Sequence, residues 1–347
     1  MSSHDALMVA SGITTVLDAV AIGDVRDGGD RLENLEKMIN AIEETQKRGV
    51  NRAEHRLHLR CELPHHTTLP LFEKLVQREP VTLVSLMDHS PGQRQFANRE
   101  KYREYYQGKY SLTDAQMQQY EEEQLALAAR WSQPNRETIA AMCRARHIAL
   151  ASHDDATHAH GRIHQLGSVI AEFPTTFEAA QASRKHGMNV LMGAPNIVRG
   201  GSHSGNVAAS ELAQLGLLDI LSSDYYPASL LDAAFRVADD ESNRFTLPQA
   251  VKLVTKNPAQ ALNLQDRGVI GEGKRADRCW RIARATTFIS TTSGVRVKGC
   301  SDDGKTDLVN GGLWLRKRQS VDGTPPAGTN SATGSASLHH ARRQRRK

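Results

Sequence analysis

The stretch Ser168–Met192, SVIAEFPTTFEAAQASRKHGMNVLM, decides the fold class. It begins and ends with short apolar runs, Ser168–Phe173 and Asn189–Met192, that do not alternate with polar residues. Such runs favour strands buried on both faces of a parallel sheet. Between them, Thr176–His186 is patterned as a helix, and Gly187 is the residue type that commonly ends one. The stretch therefore predicts a strand, a helix and a second strand parallel to the first.

The same alternation continues through the first 277 residues. Further strands are predicted at Thr14–Ala19, Arg56–Leu63, Val81–Met87, Ile148–Ser152 and Leu218–Ser222, and further helices at Asp30–Lys47, Asp114–Trp131, Val207–Gln214 and Thr246–Val254. Seven strands separated by helices indicate an α/β fold, either a doubly wound sheet or a (β/α)8 barrel. The phosphate-binding patterns GxGxxG after the first strand and GxxxxGKS/T do not occur, which weakens the case for a nucleotide-binding sheet.

The charge of the chain is unevenly distributed. The 347 residues include 44 Lys+Arg and 39 Asp+Glu, yet residues 278–347 alone carry 14 Lys+Arg against four Asp+Glu, a net charge of +10, and residues 1–277 carry a net charge of −5. We therefore expect no nucleic-acid partner for the body of the protein. Residues 278–347 also contain 15 Ser or Thr, which predicts a basic, disordered tail.

Other features of composition bear on location. No run of about 18 apolar residues occurs, so no membrane span is predicted. Met1–Leu7 lacks the basic and apolar segments of a signal peptide. The four cysteines are far apart in the sequence, which favours a reducing compartment, and we expect a cytoplasmic protein.

Polar residues follow the predicted strands and point to a metal site. In a βα barrel the carboxyl ends of the strands form the active site. Carboxylates and imidazoles gathered there are typical ligands of one or two divalent metals, and such a metal lowers the pKa of bound water. The predicted ligands are Glu62, His89, His153, Glu172 and Asp224. We also expect Asp224 to act as the catalytic proton acceptor.

Each of these assignments has a structural alternative. For Glu62 the alternative is an ion pair with Arg60 or with an arginine of an adjacent loop, and for His89 it is the cap of a turn before Pro91. For Glu172 the alternative is an ion pair with a buried Arg or Lys.

The segment Gly193–Asn206, GAPNIVRGGSHSGN, precedes a predicted helix. Backbone N–H groups and the dipole at a helix N-terminus attract phosphate oxygens. The predicted phosphate contacts are Arg199, Gly200, Gly201, Ser202, His203, Ser204 and Asn206. The alternative is a loop whose glycines only serve turns.

A long insertion separates the strand before Asp88 from the strand that begins at Ile148. It is rich in basic and tyrosine residues, and Arg94 in it is a further candidate for phosphate binding. Insertions of this length often form lids over a site. A solvated helical hairpin is the equal alternative.

Thr255–Asp277, TKNPAQALNLQDRGVIGEGKRAD, resembles the C-terminal hallmark of the amidohydrolase superfamily. The segments SHDDATH, AEFPTTFEAA, MGAPNIVRGGSHSGN and SSDYYPASLL resemble its branch in phosphonate breakdown by the carbon–phosphorus lyase route. The resemblance implies a metal-dependent hydrolase, with Zn or Mn as cofactor, on a (β/α)8 barrel. It implies a phosphorylated ribosyl phosphonate as substrate, whose 5-triphosphate is cleaved to the 5-phosphate and diphosphate. Asp224 then corresponds to the family's strand-8 aspartate, His153 to its strand-5 histidine, and Glu62 to a bridging glutamate.

Two departures from the family pattern shape the expected domains. The first departure is that Met1–Asp5 is patterned as the helix that follows the family's first strand. The second is that basic residues replace the apolar residues expected after Asp277, as a frameshift would produce. We expect a barrel without strand 1 at residues 1–265, a remnant of the small β-domain at 266–277 and the tail at 278–347. Another amidohydrolase activity (a deaminase or cyclic amidase) and an inactive truncated product remain open, as does assembly into a homo-oligomer.

Overall fold

The computed structural model describes residues 1–23, 30–93, 99–157, 164–202, 205–284 and 287–294. All of them belong to the first of the two units into which the chain divides, Met1–Gly311.

Seven strands form one sheet in which every neighbouring pair is parallel and the order follows the chain. They are β1 (Thr15–Ile22), β2 (Glu54–Glu62), β3 (Val81–Met87), β4 (Ala149–His153), β5 (Ile170–Glu172), β6 (Asn189–Gly193) and β7 (Ile220–Ser222). The predicted parallel α/β fold is confirmed, and each predicted strand overlaps an observed one. Among the described strands, β1 and β7 lie at the two edges of the sheet.

Helices connect the strands. They are α1 (Ser2–Ala10), α2 (Asp30–Lys47), α3 (Thr68–Leu75), α4 (Arg99–Tyr110), α5 (Asp114–Ala145), α6 (Phe177–Lys185), α7 (Ala194–Arg199), α8 (Ala209–Gln214), α9 (Ser229–Asp239), α10 (Leu247–Lys252) and α11 (Lys256–Ala261). Helix α5 continues well past the predicted end at Trp131, through Pro134. No helix in the described part of the chain is long and apolar enough to cross a membrane.

Two apolar clusters hold the sheet. On one face, strand residues such as Leu59 and Val84 pack against Ile39 of α2 and Phe72 of α3, and all four are fully buried. The other cluster takes one buried residue from each of five consecutive strands, Leu83, Ala151, Ile170, Leu191 and Ile220. The sheet is therefore apolar on both faces, as the unalternating strands predict.

The family-like segment after Thr255 fastens α11 to the end of the sheet. The Asn257 amide donates a hydrogen bond to the carbonyl oxygen of Asp219, directly before β7. Gly268 has a φ of +84°, and a Cβ there would lie 2.9 Å from both Ala259 Cβ and Thr255 O. Only glycine fits this close approach without strain.

A buried polar cluster fixes α1 to β1 and β2. The ring of His55 lies between two carboxylates, with Nδ1 2.7 Å from Asp18 Oδ2 and Nε2 3.3 Å from Asp5 Oδ1. His4 of α1 contacts the second oxygen of Asp18 at 2.8 Å. Burial lowers the pKa of His55, but the two carboxylates outweigh burial and leave that pKa raised.

The region after Asp277 differs from the sequence prediction of a tail without regular structure. Strands β8 (Arg278–Arg284) and β9 (Thr287–Gly294) form an antiparallel pair. The physical reason is local, because the stretch Ala283–Ser293 contains four threonines together with Phe288 and Ile289, residue types that favour strands.

The apolar core predicts a large cost for truncating Leu59, which is fully buried in β2. We expect Leu59→Ala to lower the free energy of unfolding by about 2–5 kcal/mol, through lost burial and the cavity left behind. Leu215 is 58% exposed, so Leu215→Ala is the matched control and should change stability by less than about 0.5 kcal/mol. Urea unfolding measures both, and equal losses would contradict this description of the core.

The raised pKa of His55 predicts a pH dependence of stability. Protonated His55 is favoured in the folded state, so its contribution is present in full below about pH 6.5 and is lost as the pH rises through the raised pKa. We expect the free energy of unfolding, measured in urea from pH 6 upward, to fall less with pH in His55→Gln than in the unchanged protein. His66→Gln, at an exposed histidine, should keep the original slope. Identical slopes for His55→Gln and the unchanged protein would refute the prediction.

Candidate metal centre

His153 ends β4 and is held by a chain of buried side chains. Its Nδ1–H donates to Glu172 Oε2 at 2.8 Å, and Ser85 Oγ donates to the same oxygen at 2.7 Å. His58 Nε2 lies 2.6 Å from Ser85 Oγ, on the far side from Glu172. The parallel register pairs His153 with Glu172, which explains why the strand ends bring them together. With Nδ1 fixed by Glu172, the ring presents Nε2 to its other neighbours.

His89, just beyond β3, is held in the same way by Glu62 at the end of β2. The Glu62 carboxylate accepts the backbone N–H of His89 at 3.0 Å and the ring Nδ1–H at 2.6 Å. The Nε2 atom of His89 lies 3.8 Å from Asp154 Oδ2. The Nε2 atom of His153 lies 3.2 Å from that same oxygen. Two imidazole nitrogens therefore approach one carboxylate oxygen.

These three side chains form a donor set that fits a divalent metal. One ligand atom each from His89, His153 and Asp154 lies within 4.8 Å of the others. Two imidazoles and a carboxylate are a common ligand set for zinc and related metals. A carboxylate on the far ring nitrogen of each histidine is the usual support of such ligands, and Glu62 and Glu172 provide it.

The charges of the cluster stabilise each other although the groups are buried. Burial lowers the pKa of His153, but Asp154 and Glu172 outweigh burial and raise it to about 9. Burial raises the pKa of Glu62, Asp154 and Glu172, but the adjacent histidines outweigh it and leave all three below their ordinary values. All three carboxylates are therefore held in the ionised form, and of the three only Asp154 belongs to the donor set.

Asp224 follows β7 at the same rim. A Cβ placed on Gly193, at the end of β6, would lie 3.3 Å from Asp224 Oδ2, so the carboxylate leans over the neighbouring strand end. Burial of the carboxylate raises its pKa, and the charge of Glu172 adds to that effect. A raised pKa makes Asp224 a better proton acceptor than an ordinary aspartate.

Three of the six non-glycine residues with positive φ in the described part of the chain lie at these strand ends. Asp154, Phe173 and Asp224 have φ values of 56°, 57° and 48°, in the left-handed region. Such conformations cost roughly 1–3 kcal/mol each in non-glycine residues and cluster at functional sites. Each of the three follows a strand by one or two residues, and the turns aim the side chains at the rim.

The structure separates the predicted ligands into two groups. His89 and His153 supply atoms to the donor set, whereas Glu62 and Glu172 contact the Nδ1 atoms of those histidines. Asp224 lies at the rim but outside the donor set. Asp154 belongs to the donor set and was not among the predicted ligands. Its signal in the sequence is its place directly after His153, in SHDD.

The segment predicted to bind phosphate has a different local structure. Residues 194–199 form α7, so Arg199 ends a helix, and its Nη2 lies 3.5 Å from Gly201 O. Gly200 ends α7 with a φ of +83°. Ser202 Oγ accepts the backbone N–H of Asn206 at 3.2 Å. These five positions take part in local contacts at the end of α7 and in the turn after it, and His203, Ser204 and Arg94 lie outside the described residues.

The helix after that segment is already capped. Helix α8 starts at Ala209, two residues later than predicted, and the N–H of Ala209 donates to the Asn196 side chain at 2.9 Å. The N–H of Ala208 donates to Glu211 at 3.0 Å. These amides therefore have partners within the protein.

The insertion is a helical hairpin whose tyrosines pack on one another. Tyr102 and Tyr106 of α4 are buried against Met117 of α5, with Tyr110 and Tyr120 at the edge of the cluster. Helix α5 is fastened near the site, since Asn135 donates to the carbonyl oxygens of residues Leu63 and His65. The described part of the insertion is therefore a helical hairpin, with Tyr102 and Tyr106 buried inside it.

The matched protein family is the amidohydrolase family, whose model covers residues 6–279. The match ends close to Asp277, where the character of the sequence changes. The chain is also 97% identical over 278 residues to alpha-D-ribose 1-methylphosphonate 5-triphosphate diphosphatase of Escherichia coli (strain K12). That match covers 80% of this chain and 74% of the relative.

Two solved structures are similar to this chain at low sequence identity. An uncharacterized protein has a TM-score of 0.48 at 14% identity, with 80% of this chain and 70% of that chain covered. Dihydropyrimidinase from Brevibacillus agri NCHU1002 has a TM-score of 0.44 at 10% identity, with 79% and 69% covered.

The support of His153 by Glu172 predicts the metal affinity of Glu172→Gln. The amide presents one oxygen and an NH2 group in place of two charged oxygens, so ring orientation and basicity both suffer. We expect zinc affinity, measured by competition with a chelator, to fall roughly 10–100-fold. Glu73→Gln, at an exposed residue of α3, is the control and should leave the affinity unchanged. Unchanged affinity in Glu172→Gln would show that Glu172 does not support a metal ligand.

Proposed function

Because the chain belongs to the amidohydrolase family, we propose that it hydrolyses α-D-ribose 1-methylphosphonate 5-triphosphate to the 5-phosphate and diphosphate in phosphonate breakdown. One observation carries the proposal, the 97% identity over 278 residues to a diphosphatase named for that substrate. At such identity, both the residues of the rim and their supporting contacts are expected to be shared.

The donor set supports a metal-dependent reaction. His89, His153 and Asp154 would hold a divalent cation, and zinc or manganese suits two imidazoles and a carboxylate. When bound there, such a metal lowers the pKa of a water molecule towards neutrality. Glu62 and Glu172 keep the two rings in place, and Asp224 completes the site from the end of β7.

Asp224 is the proton acceptor of the proposed reaction. Its carboxylate leans over Gly193 at the rim, and burial raises its pKa, so it binds a proton more readily than an ordinary aspartate. The proton that it takes from the attacking water can pass to the diphosphate leaving group. The charges of the triphosphate require cationic partners at the same rim.

The remaining assignments follow from the same proposal. The hydrolase barrel comprises residues 1–265, the remnant of the small β-domain 266–277 and a separate segment 278–347, and the family match ending at residue 279 supports that last boundary. A cytoplasmic location is supported by the buried free thiols of Cys61 and Cys143. The partner is the phosphorylated ribosyl phosphonate, with no nucleic acid involved.

The proposal predicts that the protein, supplied with zinc or manganese, releases diphosphate from the ribosyl triphosphate. Asp224→Asn should lower kcat roughly 10²–10⁴-fold, because the amide cannot accept the proton. Asp239→Asn, at an exposed residue of α9, is the control and should retain full activity.

Two outcomes would count against this function. If the unchanged protein bound metal but released no diphosphate, the substrate assignment would be wrong. Turnover of a cyclic amide in its place would favour the amidase alternative within the same family.

A further inference from the structure

One cation at the rim contacts the candidate metal centre without belonging to its donor set. Arg60 lies on β2, two residues before Glu62, so both side chains emerge on one face of the strand. Its Nη2 atom lies 3.1 Å from His153 Nε2, inside the rim. The guanidinium is therefore next to the candidate metal centre.

Among the described residues, Arg60 has no carboxylate partner. None of the ion pairs in that part of the chain includes it, and its contact with His153 is to a ring nitrogen. The Nε atom is buried and makes no hydrogen bond. Other arginines of the same strand region are paired, as Arg56 is with Glu54. A partly buried guanidinium with an unused donor is costly unless an anion meets it.

The position of Arg60 also relates it to the proton acceptor. Its positive charge favours the ionised form of both Asp224 and Glu172, although burial still leaves the pKa of Asp224 above its ordinary value. Neither Asp224 nor Glu172 forms an ion pair with the guanidinium among the described contacts. An anion that enters the rim between Arg60 and Asp224 would thus meet a donor that is already in place.

We propose that Arg60 binds phosphoryl oxygens of the triphosphate that is cleaved at this site, an assignment that rests on the proposed function. The planar guanidinium presents paired N–H donors that match phosphate oxygens, and its Nη2 atom lies 3.1 Å from His153 Nε2 at the rim. The segment Arg199–Asn206, predicted from sequence to bind phosphate, serves turns in the described residues, so Arg60 is the better candidate.

Equilibrium binding of inorganic triphosphate tests the proposal without catalysis. Isothermal titration calorimetry with chelator present compares the unchanged protein with Arg60→Gln and Arg60→Lys. We expect Arg60→Gln to weaken binding at least about tenfold. Arg60→Lys should weaken it less, because lysine keeps the positive charge but lacks the paired N–H donors of the guanidinium. Arg56→Gln, which removes a paired arginine of the same strand, should bind within twofold of the unchanged protein.

Methylphosphonate as a second probe separates the two charged ends of the substrate. Its binding should be the same in Arg60→Gln and in the unchanged protein. Loss of methylphosphonate binding alone would place Arg60 at the other end and overturn the proposal. The proposal is also overturned if both Arg60 variants bind triphosphate as tightly as the unchanged protein does. It is overturned as well if the unchanged protein does not bind triphosphate.

A kinetic measurement distinguishes this proposal from the proposed function. Arg60→Gln should raise KM for the ribosyl triphosphate, and thermal unfolding checks that the variant is folded. If Arg60→Gln is unfolded, Arg60→Lys alone decides, and affinity equal to the unchanged protein contradicts the proposal. A protein that binds triphosphate through Arg60 but never releases diphosphate refutes the function and leaves the binding role intact.

Discussion

The site exists because seven strands run parallel in chain order. Parallel neighbours end at the same edge of the sheet, so residues distant in sequence become adjacent when each follows its own strand. Glu62, His153 and Glu172 each end a strand, and the register between β4 and β5 sets His153 beside Glu172. An antiparallel neighbour would carry its carboxyl end to the opposite edge and remove its ligand from the cluster.

At this edge of the sheet, the carboxylates have two different roles. Glu62 and Glu172 accept the Nδ1–H groups of His89 and His153, which orients both rings, while Asp154 faces the two Nε2 atoms. The arrangement explains how so many buried charges are tolerated, since each carboxylate has an imidazole partner. It also leaves Asp224 and Arg60, at the same rim, for the chemistry of the substrate.

The sequence was most informative where local pattern and burial agree. The largely apolar run Val81–Met87 matches β3 at both ends, and the polar residues after strands indicated the rim. The roles of individual residues at the rim were harder to predict. Whether Glu172 ligates a metal or supports His153 depends on side-chain direction across two strands, which no spacing in one strand encodes. Asp154 was not among the predicted ligands, because nothing in the spacing of SHDD indicates the left-handed backbone with which it approaches His89.

Two other features depended on context beyond the local pattern. The glycines at 200 and 201 suggested a loop from residue 193 onward, but Ala194–Arg199 is helical and uses Gly200 as its end. The strands β8 and β9 lie in a polar and basic part of the sequence. Their threonines favour strand pairing in spite of that composition.

The position of a bound metal tests this account most directly. Crystals of the zinc-loaded protein, measured at the zinc absorption edge, locate the ion by anomalous diffraction. We expect a peak about 2.0–2.1 Å from the Nε2 atoms of His89 and His153, with Asp154 as a further ligand and Glu62 and Glu172 still on the Nδ1 atoms. A peak ligated by Glu62 and Glu172 themselves, or one at the His4–Asp18–His55 cluster with none at the rim, would contradict it.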